Sequence, residues 1–122
     1  MNAHPGKLMG TISCPPGMGK NGAATVVKGH TMGALAHNSV IFFDDDRTEP
    51  SMELLGELVI VMTVDGRRLV RFLDASTAEN RYNLRSVTGP TLENVELVWA
   101  ERVLWIRPPI YGDPLLKHIT TG

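Results

Sequence analysis

Arg71 is the residue whose position most needs a chemical explanation, because it places a cation in the middle of an apolar hairpin. Two β-branched runs, Leu58–Val64 and Arg67–Leu73, flank the pair Asp65-Gly66. A guanidinium stays protonated in proteins and donates hydrogen bonds from a rigid fork. Arg71 can therefore hold a carboxylate or a carbonyl, but it has no lone pair with which to act as a general base.

Metal-ligating residue types are too widely spaced in this sequence to predict a metal site. His4, His37 and His118, together with Cys14, lack the close spacing of a zinc site. The run Asp44–Asp46 reads as a solvated turn, because the spaced ligand loop of a calcium site is missing. We therefore predict no bound metal.

The segment Cys14–Asn21 resembles the phosphate loop of an ATPase, but it departs from that loop in three ways. Cys14 stands where the loop needs its first glycine, and Asn21 stands where a hydroxyl must reach magnesium. The following residues, Gly22–Lys28, read as loop and strand rather than as the helix whose amides meet the phosphate. Nucleotide binding through Lys20 stays an alternative, and no cofactor is predicted.

Size and charge set the broad class of the protein. The chain has 122 residues, which fits one domain, and a net charge of -1 from 12 basic and 13 acidic residues. This balance does not predict direct nucleic-acid binding. A single cysteine excludes an internal disulfide and fits a reducing cytoplasm. No apolar run approaches the ~20 residues of a membrane span, so we expect a soluble, cytoplasmic protein without a membrane partner.

Short strands must position these residues. Leu58–Val64 is nearly all apolar, so both its faces should meet protein. The pair Asp65-Gly66 predicts a two-residue type I′ turn. The return arm alternates, with Leu69, Arg71 and Leu73 on one face. This pattern predicts a paired hairpin at the centre of the fold.

Strand signals separated by turns recur along the rest of the chain and predict an all-β domain of antiparallel sheets. Single helical turns are possible at 34–38 and 50–55. We expect a flexible arm over 1–23, a β-domain over 24–107 and a frayed tail over 108–122. The further strands are predicted at Ala24–Lys28, Ser39–Phe43, Arg81–Val87 and Val95–Ile106, the last bent near Ala100-Glu101.

Five segments, in order, resemble one peptidase family. They are Val26–Met32 (V-x-G-D-S-M in the family), Leu55–Val61 (G-D-L-V-V-V), Asp65–Leu73 (D-G-x-x-x-V-K-R-L), Arg81–Ser86 (Y-x-L-x-S) and Val98–Val103 (the closing strand). The family is the LexA-like S24 peptidases, the C-terminal domains of phage repressors and SOS-response self-cleaving proteins, and the similarity is strongest to the prophage branch. The resemblance implies several short, strongly curved sheets, as in LexA and signal peptidase.

The resemblance also implies a Ser-Lys dyad that cleaves a loop of the same chain, and here both positions differ. Thr31 stands at the serine, Arg71 at the lysine, and His30 at the preceding aspartate. The methyl group of Thr31 crowds its hydroxyl, and Arg71 cannot take a proton. The family's cleavable Ala-Gly or Cys-Gly bond has no counterpart in this sequence, nor has the preceding DNA-binding domain. Thr31 and Arg71 are therefore predicted to be a vestigial dyad.

Two alternatives for the site residues remain. Ser51-Met52-Glu53 also resembles the family's nucleophile segment, although Ser51 lies 20 positions before Arg71 and Thr31 lies 40 before it, nearer the family spacing. His30 could replace the missing base only through an unusual turn, because neighbouring residues of a strand point to opposite faces. A surface histidine is the simpler interpretation.

The function predicted from these features is a degenerate S24-like domain that self-associates, or docks onto a related repressor, in prophage or SOS-type regulation. The expected partner is a second copy or a related repressor. Trp99 and Trp105 lie six positions apart, on one face of a straight strand, and fit either core packing or a self-association patch. The alternative function is an active self-cleaving peptidase with Thr31 or Ser51 as nucleophile.

Overall fold

The computed structural model describes residues 15–35, 37–109 and 120–121, and these fold into two β-sheets. A single short 3₁₀ helix, η1 (Met52–Leu54), is the only helix in the described part of the chain. The strands are β1 (Gly22–Val27), β2 (Val40–Asp44), β3 (Leu58–Thr63), β4 (Arg68–Ala75), β5 (Tyr82–Arg85), β6 (Leu92–Val95), β7 (Leu97–Arg102), β8 (Trp105–Arg107) and β9 (Thr120–Thr121).

The prediction of an all-β chain is confirmed, with two sheets that are antiparallel except at one edge. The first sheet has the order β8-β2-β1-β9, and the second has the order β6-β5-β4-β3-β7. The two-residue strand β9 runs parallel to β1, with Val26 opposite Thr120 and Val27 opposite Thr121. All the other strand pairs are antiparallel.

The predicted hairpin is the centre of the second sheet. Strand β3 lies between β4 and β7 and is buried on both faces, as its continuous apolar sequence predicts. One face joins Ile60 and Val70 to the core between the sheets. The other face joins Val59 and Leu69 to a second apolar cluster, against which Leu54 and Leu55 of the η1 segment pack.

The prediction of a type I′ turn at Asp65-Gly66 is wrong. That turn needs positive φ at both residues, whereas Gly66 has φ +90° and Asp65 is not among the positive-φ residues. Instead, the Gly66 N–H donates to the Thr63 carbonyl at 2.9 Å, which closes a wider loop. The Thr63 hydroxyl accepts the Arg67 N–H at 2.9 Å and donates to the Asp65 carboxylate. The hydrogen bond that the Thr63 hydroxyl donates to Asp65, together with the positive charge of Arg67, lowers the pKa of Asp65.

The closing run passes from one sheet to the other. Strand β7 pairs with β3 in the second sheet, and β8 pairs with β2 in the first. The chain crosses at Val103 and Leu104. The Val103 N–H donates to the carbonyl of Leu58 in β3, and the Leu104 N–H donates to the carbonyl of Phe42 in β2. The two tryptophans therefore lie in different environments: Trp99 is 4% exposed, and Trp105 is 47% exposed.

Element boundaries differ slightly from those predicted. Strand β1 already begins at Gly22, inside the expected arm, and residues 1–14 of that arm lie outside the described part. The turn predicted at 50–55 is confirmed as η1. Within the expected tail, 110–119 and 122 lie outside the described residues, while Thr120–Thr121 pair with β1 as β9.

Candidate functional site

Thr31 lies in the loop that follows β1, and the β5–β6 connection holds this loop in place. The Thr31 carbonyl accepts the Val87 N–H at 2.7 Å and the Thr88 N–H at 2.9 Å. The Thr88 hydroxyl donates to the His30 carbonyl at 3.4 Å. Met32, the next residue, is buried in the core between the sheets. The backbone around Thr31 is therefore fixed by residues more than fifty positions away.

Gly89 packs directly against the Thr31 side chain. A Cβ atom on Gly89 would lie 2.9 Å from Thr31 Cγ2, 3.1 Å from Thr31 Cβ and 3.0 Å from Ser86 Oγ. Ser86 is 8% exposed, and its hydroxyl has no hydrogen-bond partner among the described residues. The hydroxyl-bearing side chains of Thr31 and Ser86 thus meet around a glycine that leaves no room for a side chain of its own.

The family resemblance named Thr31 but gave Ser86 no role. Ser86 closes the strand motif Arg81–Ser86, so its position was visible in the sequence, but its proximity to Thr31 was not. The φ angle of Gly89 is not positive, so its backbone conformation does not require a glycine. Its close packing against Thr31 and Ser86 does, and the sequence does not show that packing. Only the packing of two distant loops reveals these two residues.

His30 is exposed and stacks on His37, with ring centroids 4.7 Å apart and an interplanar angle of 30°. His37 Nδ1 accepts the Gly29 N–H at 2.9 Å, which closes the turn after β1. His30 thus has the surface position that the simpler sequence interpretation expects.

Arg71 lies in the middle of β4, opposite Val59 of β3. Its Nη1 donates to the Val70 carbonyl at 2.7 Å. Burial lowers the pKa of the half-buried guanidinium, and the charge of Arg67 lowers it further. Arginine starts from so high a pKa that it nevertheless remains a cation at any physiological pH. Arg71 can therefore hold an oxygen ligand but cannot deprotonate a hydroxyl.

Thr31 lies in the loop after β1, whereas Arg71 lies within strand β4. Thr31 lies against the β5–β6 connection, whereas Arg71 lies beside Val59 and donates to Val70. Because side chains alternate along a strand, Arg71 lies on the same face of β4 as Leu69, which belongs to the second apolar cluster. Met32 packs instead in the core between the sheets. The pairing of Thr31 with Arg71 as a vestigial dyad stays a prediction.

Ser51 is exposed just before η1, in a cleft of about 210 Å³ beside β7. Carboxylates dominate this cleft, which also includes Arg102. The acidic side chains are Asp44, Glu49, Glu53 and Glu101. Neither Thr31 nor Arg71 is among the lining residues. Ser51 and Thr31 therefore mark two separate places on the molecule.

The phosphate-loop-like segment leads into a strand, as the sequence predicts. Strand β1 begins at Gly22, so no helix end meets this loop. The Gly19 N–H donates to the Asp44 carboxylate at 2.8 Å, and Asn21 Nδ2 donates to Asp46 at 2.7 Å. The Gly19 N–H and the Asn21 side chain of this loop are thus already hydrogen-bonded to carboxylates of the same chain.

No group of three or more His, Cys, Asp or Glu side chains in the described ranges is placed to hold a metal ion. His4, Cys14 and His118, which were weighed as ligands, lie outside these ranges. None of the described helices is both long and apolar enough to cross a membrane.

Comparisons with known proteins add no relative to this picture. The kinship with S24 peptidases thus has only the five sequence segments behind it and stays a proposal. No protein-family model, no curated protein and no solved structure matched this chain.

Proposed function

We propose that this chain is a catalytically degenerate S24 peptidase-like domain with the curved, LexA-like fold of that family. It acts by self-association, or by docking onto a related repressor, in prophage or SOS-type regulation. The observation that carries the proposal is the edge strand β8, which pairs with β2 and ends the first sheet. Its apolar side chains face solvent: Trp105 is 47% and Ile106 50% exposed, and the preceding Leu104 is 39% exposed.

An edge strand of this kind is chemically suited to a second β-strand. Its outward N–H and C=O groups form a ladder with any extended chain, while large apolar side chains supply buried area. Tryptophan is among the residues that most often dominate the energy of protein interfaces. Two copies related by a two-fold axis would bring β8 against β8 in antiparallel register.

The loss of chemistry supports the same proposal. Arg71 occupies the position where the family has its base, and a guanidinium has no lone pair to accept the nucleophile's proton. A domain that retains the strands of the family but lacks a general base can still bind a partner, although it cannot catalyse cleavage. Under this proposal Thr31 and Arg71 are remnants of the dyad.

Replacing Trp105 tests the proposal. We expect the wild-type chain to form dimers at micromolar concentration, and Trp105→Ala to raise the dimer dissociation constant by about thirtyfold, as for a central interface tryptophan. Sedimentation-velocity ultracentrifugation measures the dimer dissociation constants of the wild-type chain and of Trp105→Ala. Val64→Ala, which removes another exposed apolar side chain at the hairpin tip, is the matched control and should leave the constant unchanged. A wild-type chain that stays monomeric and binds no repressor domain would contradict the proposal.

Self-cleavage separates this proposal from the alternative of an active peptidase. We expect the wild-type chain to remain intact at alkaline pH, because no neutral base assists Thr31. Mass spectrometry of the incubated protein measures this. Cleavage that disappears in Thr31→Val or in Ser51→Ala would instead identify the nucleophile of a working enzyme. Cleavage found in Thr31→Ser/Arg71→Lys alone would support the vestigial dyad.

A further inference from the structure

The acidic cleft beside β7 adjoins the open edge of β8. Leu104 lines this cleft of about 210 Å³ and directly precedes β8, whose Trp105 and Ile106 are exposed. Residues 100–102, which come before Leu104 in the chain, line the cleft as well. An extended segment that pairs antiparallel with β8 and continues past Leu104 therefore runs towards the cleft.

Backbone alternation leaves one residue of β8 with both of its hydrogen-bonding groups facing outward. The N–H of Asp45, which follows β2, donates at 2.9 Å to the carbonyl of Asn21, which precedes β1, so residues at odd positions of β2 face β1. Residues at even positions face β8, where they pair with Trp105 and Arg107. Ile106 lies between these two, so its N–H and C=O point away from the sheet. A docked strand forms two backbone hydrogen bonds there, and side chains must supply the rest of its affinity.

The cleft carries more negative charge than its own chain neutralises. Four carboxylates and one guanidinium line it. Two of the carboxylates accept backbone N–H groups, and Arg102 Nε lies 3.4 Å from Oε1 of Glu57, which is not a lining residue. Glu49 and Glu53 are exposed and form no hydrogen bond or ion pair with any residue that the structure describes. These two side chains are therefore the natural partners of a cation that enters the cleft.

We infer that the segment docked at β8 belongs to a partner protein, is extended and apolar along β8, and carries a lysine or arginine that enters the cleft. At about 3.4 Å per residue, this basic residue lies about two to four positions after the one opposite Ile106. Its charged group lies beside Glu49 and Glu53, and its aliphatic stem packs against Leu54 and Leu104. The inference rests on the proposed docking at β8 and names the chemistry of the partner segment.

A second copy of this chain fits the cleft less well than such a segment. In a β8–β8 pair centred on Ile106, the residues two to four positions beyond the partner's Ile106 are Pro108, Pro109 and Ile110, which carry no charge. The two prolines also have no N–H to extend the ladder. Two copies can still pair at Ile106, so a second copy and the basic segment compete for one edge.

Selection from a phage-displayed library of random peptides of about ten residues tests the inference. We expect peptides selected on the wild-type chain to carry lysine or arginine about two to four positions after an apolar residue. Replacing that basic residue by glutamine in a labelled peptide should weaken binding about tenfold, as measured by fluorescence anisotropy. Trp105→Ala should weaken the original peptide by at least about tenfold, because the same peptide must also occupy β8.

Two glutamate variants locate the charge that the peptide meets. In Glu49→Gln/Glu53→Gln, glutamine in the peptide should weaken binding by less than about twofold. Glu79→Gln/Glu93→Gln, the matched control, removes two exposed carboxylates outside the cleft and should keep the tenfold difference. If the first variant does not fold, raising the salt from about 0.05 M to about 0.5 M should remove most of the tenfold difference in the wild-type chain.

The ways of failing are distinguishable. Peptides that lose affinity in Trp105→Ala but show no basic preference would overturn the inference and leave docking at β8 standing. A chain that selects no peptide, yet forms a dimer that Trp105→Ala weakens, would do the same and identify a second copy as the occupant. A basic preference that persists in Glu49→Gln/Glu53→Gln would place the cation elsewhere and overturn the inference. A chain that selects no peptide, stays monomeric and binds no repressor domain would overturn both the inference and the proposed function.

Discussion

Replacing Trp99 with alanine should lower the free energy of unfolding by about 3–5 kcal/mol, the usual cost of removing a large aromatic side chain from a core. Trp99 is 4% exposed and lies in the cluster between the two sheets. Its ring stacks on Phe43, with centroids 6.3 Å apart and planes inclined by 18°. The substitution removes contacts to both sheets at once, because Phe43 belongs to β2 and Trp99 to β7. Urea denaturation followed by far-UV circular dichroism measures the loss.

Trp105→Ala is the matched control for this prediction, since it removes the same side chain from an exposed edge. Unfolding is linked to association when the native chain forms dimers, so the two changes should be compared in one background. We expect Trp99→Ala/Trp105→Ala to be less stable than Trp105→Ala by the full 3–5 kcal/mol. A difference below about 1 kcal/mol would mean that Trp99 does not contribute to the core as its burial indicates.

The central hairpin could be predicted from the sequence because its information is local. The continuous apolar run of β3 and the alternation of β4 follow from the two-residue period of a strand, and both survive in the fold. The turn type could not be predicted from Asp65-Gly66 alone. The buried hydroxyl of Thr63, which bonds to Arg67 and Asp65, favours a wider loop. A side chain outside the turn pair decided its geometry.

The closing run shows the limit of a local pattern more clearly. Six positions separate Trp99 from Trp105, which places them on one face of a straight strand. The chain instead leaves β3 for β2 at Val103 and Leu104, so one tryptophan is buried between the sheets and the other lies at an edge. The two-residue alternation of side chains does not indicate where a strand leaves one sheet for the other, because that point depends on partner strands that are distant in sequence.

Thr31 and Arg71 were predicted as site residues, and their pairing stays a prediction, but the surroundings of Thr31 could not be predicted from the sequence. Thr31 and Arg71 came from motif positions, and the charge of Arg71 followed from arginine chemistry alone. The groups that hold Thr31 come from the β5–β6 connection, more than fifty residues later. Strand β9 was equally out of reach, since two threonines in an expected tail have no pattern of their own.

Replacing Gly89 with alanine should lower the free energy of unfolding by about 1–3 kcal/mol, the range for forcing an extra methyl group into a packed site. The new Cβ would lie 2.9 Å from Thr31 Cγ2, 3.1 Å from Thr31 Cβ and 3.0 Å from the buried Ser86 hydroxyl. None of these atoms can move far, because the Thr31 backbone accepts two hydrogen bonds from the same connection and Ser86 is buried. Urea denaturation of the single variant measures the cost.

A double-mutant cycle shows whether the cost arises at Thr31. Thr31→Ser removes Cγ2, the atom closest to the new methyl group, and keeps the hydroxyl. We therefore expect Gly89→Ala to cost at least about 0.5 kcal/mol less in the Thr31→Ser background than in the wild type, a coupling typical of residues in contact. Gly17→Ala, at a positive φ with no atom within 4 Å, is the control for backbone strain alone and should show no coupling to Thr31. Additive effects of Gly89→Ala and Thr31→Ser would mean that the two loops do not pack as described, and that Thr31 is held by its hydrogen bonds alone.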